Sequence, residues 1–105
     1  MFGLKVIKFG GSSLANGTQL KKVLQIVKDD ADRRIVVVSA PGKRNDSDEK
    51  VTDLLIKLAD EVKNKEDHKK TLKTILKRYQ DIVEELEIDP SVMEIISQNY
   101  EELIQ

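Results

Sequence analysis

Lys5-Val6-Ile7-Lys8-Phe9-Gly10-Gly11-Ser12-Ser13 is the stretch on which the reading of this chain turns. Leu4 to Phe9 reads as a strand, and the glycine pair ends it. A parallel strand buried on both faces is normally a near-continuous apolar run. Here Lys8 alternates onto the same side as Leu4 and Val6, and a cation in that place needs an anion. Gly10 and Gly11 remove two side chains, so that backbone N–H groups can approach a ligand closely, and the hydroxyls of Ser12 and Ser13 add donors. The assembly suits phosphate. It is neither a Walker A loop nor a GxGxxG fingerprint, and taken alone it reads equally as a tight strand-to-helix turn with an exposed lysine at its lip.

Downstream, Leu20, Val23, Leu24 and Val27 recur at helical spacing, with Asn16 or Thr18 as the cap. Ile35 to Val38 is β-branched throughout, as a strand buried on both faces should be. Strand, helix, strand is a βαβ unit, which implies neighbouring parallel strands. Ligands of such sheets bind beyond the C-terminal strand ends, where Gly10 and Ser39 both fall. Ser39 taken singly is a strand terminator, and Thr52 a helix cap; as a set with Ser12 they offer converging donors for a small acidic substrate.

The second half is helical. Val51, Leu54, Leu55, Leu58 and Val62 mark one helix, and Leu72, Ile75, Leu76, Tyr79, Ile82, Val83 and Leu86 a longer one. Asp89 as N-cap and Pro90 at the first helical position open a third, carried by Val92, Ile95, Ile96, Tyr100 and Leu103. Asn64 to Lys70 is a polar turn, and Pro41 to Lys50 is the one long loop, in which Lys43 and Arg44 read as solvated. His68 stands among Glu66, Asp67, Lys69 and Lys70 and reads as surface, so neither a histidine base nor a metal site is supported. Tyr79 and Tyr100 lie on apolar stripes and read as core.

Composition sets the outer bounds. Eighteen Lys+Arg against nineteen Asp+Glu give a net charge of −1, which indicates neither a nucleic-acid footprint nor an anionic-membrane surface. Any phosphate binding is local. There is no cysteine, hence no disulfide framework or thiolate metal site, which fits a reducing cytosol. No run is long enough to span a bilayer, and Lys5 and Lys8 interrupt the N-terminal apolar stretch where a signal peptide would lie. Two parallel strands with helices on some of their faces do not bury themselves well. The 105 residues are therefore read as the N-terminal part of a larger α/β domain, the alternative being a self-contained α+β miniature.

Three segments together resemble the N-terminal part of the aspartokinases, members of the amino acid kinase family. They are Lys8-Phe9-Gly10-Gly11-Ser12-Ser13, Val36-Val37-Val38-Ser39-Ala40 and Val51-Thr52-Asp53-Leu54-Leu55. The resemblance covers about the first sixty residues. It implies an α/β fold: the first part of a three-layer αβα domain with a parallel sheet core, with residues 1–40 as the βαβ unit and phosphate loop, 41–50 as the charged loop and 51–105 as a helical segment. The activity implied is transfer of the γ-phosphoryl of ATP, with Mg²⁺, to the side-chain carboxylate of L-aspartate, in a cytoplasmic homo-oligomeric enzyme with no nucleic-acid or membrane partner. Lys8, Phe9, Gly10, Gly11 and Ser12 would line the ATP phosphate site, with Lys8 stabilising the transferred charge, and Ser39 and Thr52 would hold aspartate. The rest of the kinase domain and the regulatory ACT domains of that family would lie downstream, leaving these residues inactive by themselves. Two other readings stay open: a family kinase acting on glutamate, N-acetylglutamate or carbamate, and a helical interaction module built on Leu72 to Leu86 and Val92 to Leu103.

Overall fold

Strand β1 (Lys5–Phe9) and strand β2 (Arg33–Val38) pair in parallel, joined by a single 3-10 turn (Gly11–Leu14) and helix α1 (Gly17–Lys28). The structure is a computed structural model that describes residues 3–105. Ile7 pairs with Val36 and Phe9 with Val38, while Val6 pairs with Ile35 and Lys8 with Val37, so the strands share their two faces. An irregularity between Lys5 and Val6 leaves Arg34 as the extra residue on β2. Near that end Lys5 donates to Asp30 at 2.5 Å, which holds the Asp30 carboxyl below its usual range.

Helix α1 covers one face. Phe9, Leu14 and Val23 form its buried cluster, with Ile7, Leu20 and Val27 packed around it. Asn16, not Thr18, is the cap: its Oδ1 accepts from the Gln19 amide at 2.9 Å. The opposite face is bare. Val6 is 65% exposed and Ile35 46%, and β2 as a whole is not buried on both sides as its sequence suggests. The physical reason is that α1 covers β1 and leaves β2 open on both faces, since Val36 and Val38, on the face of Ile7 and Phe9, are 40% and 58% exposed. Lys8 shares the bare face with Val6 and makes no ion pair among the described residues, so it is exposed rather than buried.

Helices α2 (Val51–Lys63), α3 (Lys69–Leu86) and α4 (Val92–Ile104) build the second core around Leu54, Leu58, Ile75 and Tyr100. Tyr79 and Tyr100 pack tilted at 47°, with 6.2 Å between ring centroids, and burial pushes the Tyr100 hydroxyl up from its usual range. Both tyrosines are core, as their stripe positions imply. The opening of α4 differs from expectation. Asp89 Oδ1 accepts from the Ser91 amide at 2.9 Å, and the Val92 and Met93 amides bond back to Asp89 and Pro90. These three-residue bonds close a turn over 89–91, and the helix begins after it.

Helix α3 joins the two halves. It packs on α1, and Glu85 Oε2 accepts from the Gly17 amide at 3.0 Å. The N-terminus of α1 is thereby occupied by a carboxylate of the chain itself. Among the described residues no helix is long and apolar enough to cross a membrane.

Candidate functional site

The two parallel strands end side by side, and a short set of backbone bonds fixes the segments beyond them. The Ser39 amide donates to Phe9 O at 3.3 Å, and the Gly42 amide to Gly11 O at 2.8 Å. The Val51 amide then donates to Pro41 O at 2.9 Å, bringing the start of α2 back to the strand ends. The result is a cleft of about 400 Å³ lined by Gly11, Ser12, Ser39, Lys43, Lys50 and Thr52, with Pro41 and Gly42 in its wall. Three hydroxyls from three separate segments meet there.

Four of the seven residues singled out in the sequence line this cleft: Gly11, Ser12, Ser39 and Thr52. The other three do not. Phe9 is buried against α1, and its carbonyl is taken by Ser39. Lys8 is on the bare strand face. Gly10 precedes the cleft at the lip of the turn, with extended backbone (φ −79°, ψ 176°), and a Cβ built on it meets nothing within 4 Å.

Among the described residues nothing therefore requires glycine at 10. Gly11 and Gly42 are the contrast. A Cβ on Gly42 would lie 2.7 Å from the Gly11 carbonyl carbon, and one on Gly11 would lie 3.1 Å from Ala40 O. These two glycines let the turn and the loop touch backbone to backbone, whereas Gly10 keeps open space in front of it.

The charge in the cleft is positive. Lys43 and Lys50 line it, and no carboxylate does. Lys50 flanks the start of α2 without a side-chain cap bond, and the Val51 amide is taken by Pro41 O. Ammonium groups and hydroxyls are donors of the kind that suits an anion. They do not suit a resident Mg²⁺, which binds through oxygen anions. Among the described residues no group of three or more His, Cys, Asp or Glu is placed to hold a metal.

In the Pro41 to Lys50 loop Lys43 and Arg44 are exposed, as read, but the two ends of the loop are tied down by a residue that pattern reading passed over. Arg78, on α3, is only 3% exposed. Its guanidinium donates to Gly42 O at 2.6 Å and to Glu49 O at 2.7 Å, with a longer contact to Ala15 O at 3.5 Å. Asp48 lies 3.5 Å from it. Arg44 is turned away from the cleft and pairs with Asp48 at 2.7 Å and Asp81 at 3.2 Å, while Lys43, its neighbour, faces the cleft. The available signal was an arginine at the buried spacing of Thr71, Ile75 and Ile82. A larger cavity of about 780 Å³ lies on the far side of the same loop, over Leu72 and Leu76, and contains none of the predicted residues.

These pairings set the acid behaviour of the loop. The Arg44 side-chain bond holds the Asp48 carboxyl well below the usual carboxylate range, helped by the Arg44 amide and the charge of Arg78. Burial pulls the Arg78 guanidinium down, with Asp48 opposing. A carboxyl with a depressed folded pKa adds stability above its unfolded value of about 3.9 and loses it as the pH falls toward the folded value. Asp48→Asn is therefore expected to lower Tm at neutral pH, with the gap from the parent chain closing below about pH 4 as Asp48 itself protonates. Melts of both chains across that range check it; a gap that is constant with pH would refute the assignment.

Comparison with known proteins adds the context. The amino acid kinase family model matches residues 3–102. The chain is 47% identical over 93 residues to aspartokinase 3 of Bacillus subtilis (strain 168), a match covering 89% of this chain and 20% of that protein. Among solved structures it resembles Clostridium acetobutylicum aspartate kinase with a TM-score of 0.79 and 45% identity, covering 92% of this chain and 23% of the other. Aspartokinase III of E. coli, crystallised with aspartate and ADP, gives 0.64 and 28%, covering 96% and 20%. The chain thus spans about a fifth of the length of the relatives it matches.

Proposed function

We propose that this chain, which belongs to the amino acid kinase family, is the N-terminal part of an aspartate kinase catalytic domain that moves the γ-phosphoryl of ATP onto the side-chain carboxylate of L-aspartate, giving 4-phospho-L-aspartate. The observation that carries this reading is the meeting of Gly11, Ser12, Ser39 and Thr52 in one cationic cleft beyond the ends of two parallel strands. Support comes from relatives named as aspartokinases, one of them holding aspartate and ADP. Residues 1–40 supply the βαβ unit and phosphate loop, 41–50 the loop that walls the cleft, and 51–105 the helical segment. The remaining strands of such a domain would add at the edges of β1 and β2, and its other helical layer would cover their bare face.

The acceptor carboxylate has a pKa of about 3.9 and is already ionised at neutral pH, so no general base is needed. The task is to align two anions and offset their repulsion. Lys8 acts on the charge of the transferred group. The backbone at Phe9, Gly10 and Gly11, with the Ser12 hydroxyl, borders the nucleotide phosphates. Ser39 and Thr52 donate to aspartate. The N-terminus of α1 takes no part, since Glu85 occupies it; Thr52, in the first turn of α2, lines the cleft. The cleft offers no carboxylate to hold Mg²⁺, which would therefore enter with the nucleotide and would help offset the phosphate charge.

The reading includes a cytoplasmic, homo-oligomeric enzyme of amino-acid biosynthesis, on the route to lysine, threonine and methionine, in which these 105 residues alone are inactive. Its test is a hybrid in which this chain replaces the matched segment of the Bacillus subtilis relative. The hybrid is expected to consume ATP in the presence of L-aspartate and to form an acyl phosphate that hydroxylamine traps as a hydroxamate. A folded hybrid that transfers phosphate to glutamate but not to aspartate, or to neither, would sink the reading.

A further inference from the structure

We infer that Arg78 is a positioning residue that places Lys43 and Lys50 in the cleft for an anionic substrate, an assignment that rests on the phosphoryl-transfer reading. The two carbonyls its guanidinium holds most closely, Gly42 O and Glu49 O, belong to the residues directly before Lys43 and Lys50. One planar fork thus fixes both ends of the loop, and each anchored carbonyl is followed at once by a lysine that lines the cleft. Thr52 comes two residues later.

Packing alone gives no reason for an arginine here. Its neighbours on the stripe, Ile75 and Ile82, are buried apolar residues, and an apolar side chain of similar length would fill the position without the cost of burying a cation. That cost is visible in Nε, which is buried with no partner. Asp48 and Arg44 face the guanidinium from the loop and Asp81 from α3 itself. What the guanidinium gains is geometry, since two carbonyls seven residues apart are held at 2.6 and 2.7 Å by a single rigid group.

A lysine ammonium is a point charge and does not hold both carbonyls in the same plane. The test uses the full chain with Arg78→Lys, which keeps charge and length, and Arg78→Met, which keeps the apolar stem. Amide hydrogen exchange and backbone amide shifts are read by NMR. Both variants are expected to speed exchange at the Gly42 and Val51 amides by about tenfold or more and to move the shifts of Lys43, Lys50 and Thr52, with Val23 and Phe9 unchanged. A merely structural arginine would instead raise exchange across α1 and α3 alike. If Arg78→Met unfolds the chain, Arg78→Lys decides alone. Wild-type protection at Gly42 and Val51 in Arg78→Lys, or uniform loss throughout, overturns the proposal. Neither readout involves ATP or aspartate, so a failed kinase assay and a failed exchange experiment are distinct results.

Discussion

Lys8→Ala is expected to lower kcat of the hybrid kinase by about 100- to 1000-fold, the loss typical of removing one preorganised group that stabilises transition-state charge. KM for aspartate should stay within about threefold, because an interaction made mainly in the transition state lowers kcat and kcat/KM together. The structural ground is the place of the side chain. Lys8 lies on a strand face otherwise carrying Val6, Ile35 and Val37, without an ion pair among the described residues. If a further layer covers that face in the whole enzyme, an ammonium there is costly unless an anion neutralises it. A phosphoryl group two residues from Gly10 would do so. Steady-state kinetics of the variant decide the matter: a normal kcat with a raised KM for ATP would make Lys8 a binding residue only, and a normal value of both would remove it from the site.

The same residue shows what pattern reading reached and where it stopped. The order of elements was legible, because β-branched runs and helical spacing each use a period that a single sequence displays. So was the meeting of Ser12, Ser39 and Thr52, since parallel strands joined by a crossover must end on one side. Burial was not legible. Ile35 to Val38 has the composition of a strand covered on both faces, yet composition records what a strand is fitted for, not how many layers these residues supply. Arg78 was missed for another reason. Its partners are carbonyl oxygens of Gly42 and Glu49, which every residue possesses, so no side-chain pattern marks them. Gly42 was missed likewise, because its need for a missing Cβ arises from Gly11, thirty-one positions earlier by subtraction of their numbers, and local turn chemistry does not see that contact.

The glycines supply the second large effect, and they separate fold from ligand. Gly10→Ala should leave the chain as stable as before or raise its stability by about 0.4–1 kcal/mol, because its extended backbone suits alanine and the unfolded chain loses freedom. Nothing within 4 Å opposes the added methyl. Gly42→Ala is the reverse: its Cβ would sit 2.7 Å from Gly11 C, 2.9 Å from Gly11 O and 3.0 Å from Ser12 N, all backbone atoms that cannot swing aside. It should cost about 1–3 kcal/mol, as overpacking does, and for a domain of this size each kcal/mol lowers Tm by about 4–8 °C. Gly11→Ala, meeting Ala40 O at 3.1 Å and Gly42 Cα at 3.3 Å, should fall between them. In the hybrid kinase the order inverts where nucleotide is concerned. Gly10→Ala puts a methyl into the space a phosphate is proposed to enter, and is expected to raise KM for ATP by about tenfold or more while the melt stays normal. A phosphate loop predicts that combination, a stable protein with weakened nucleotide binding; a plain turn predicts no kinetic change at all. Melting curves on the chain and ATP saturation curves on the hybrid together distinguish them, and an unchanged KM in Gly10→Ala would return the glycine pair to the status of a turn.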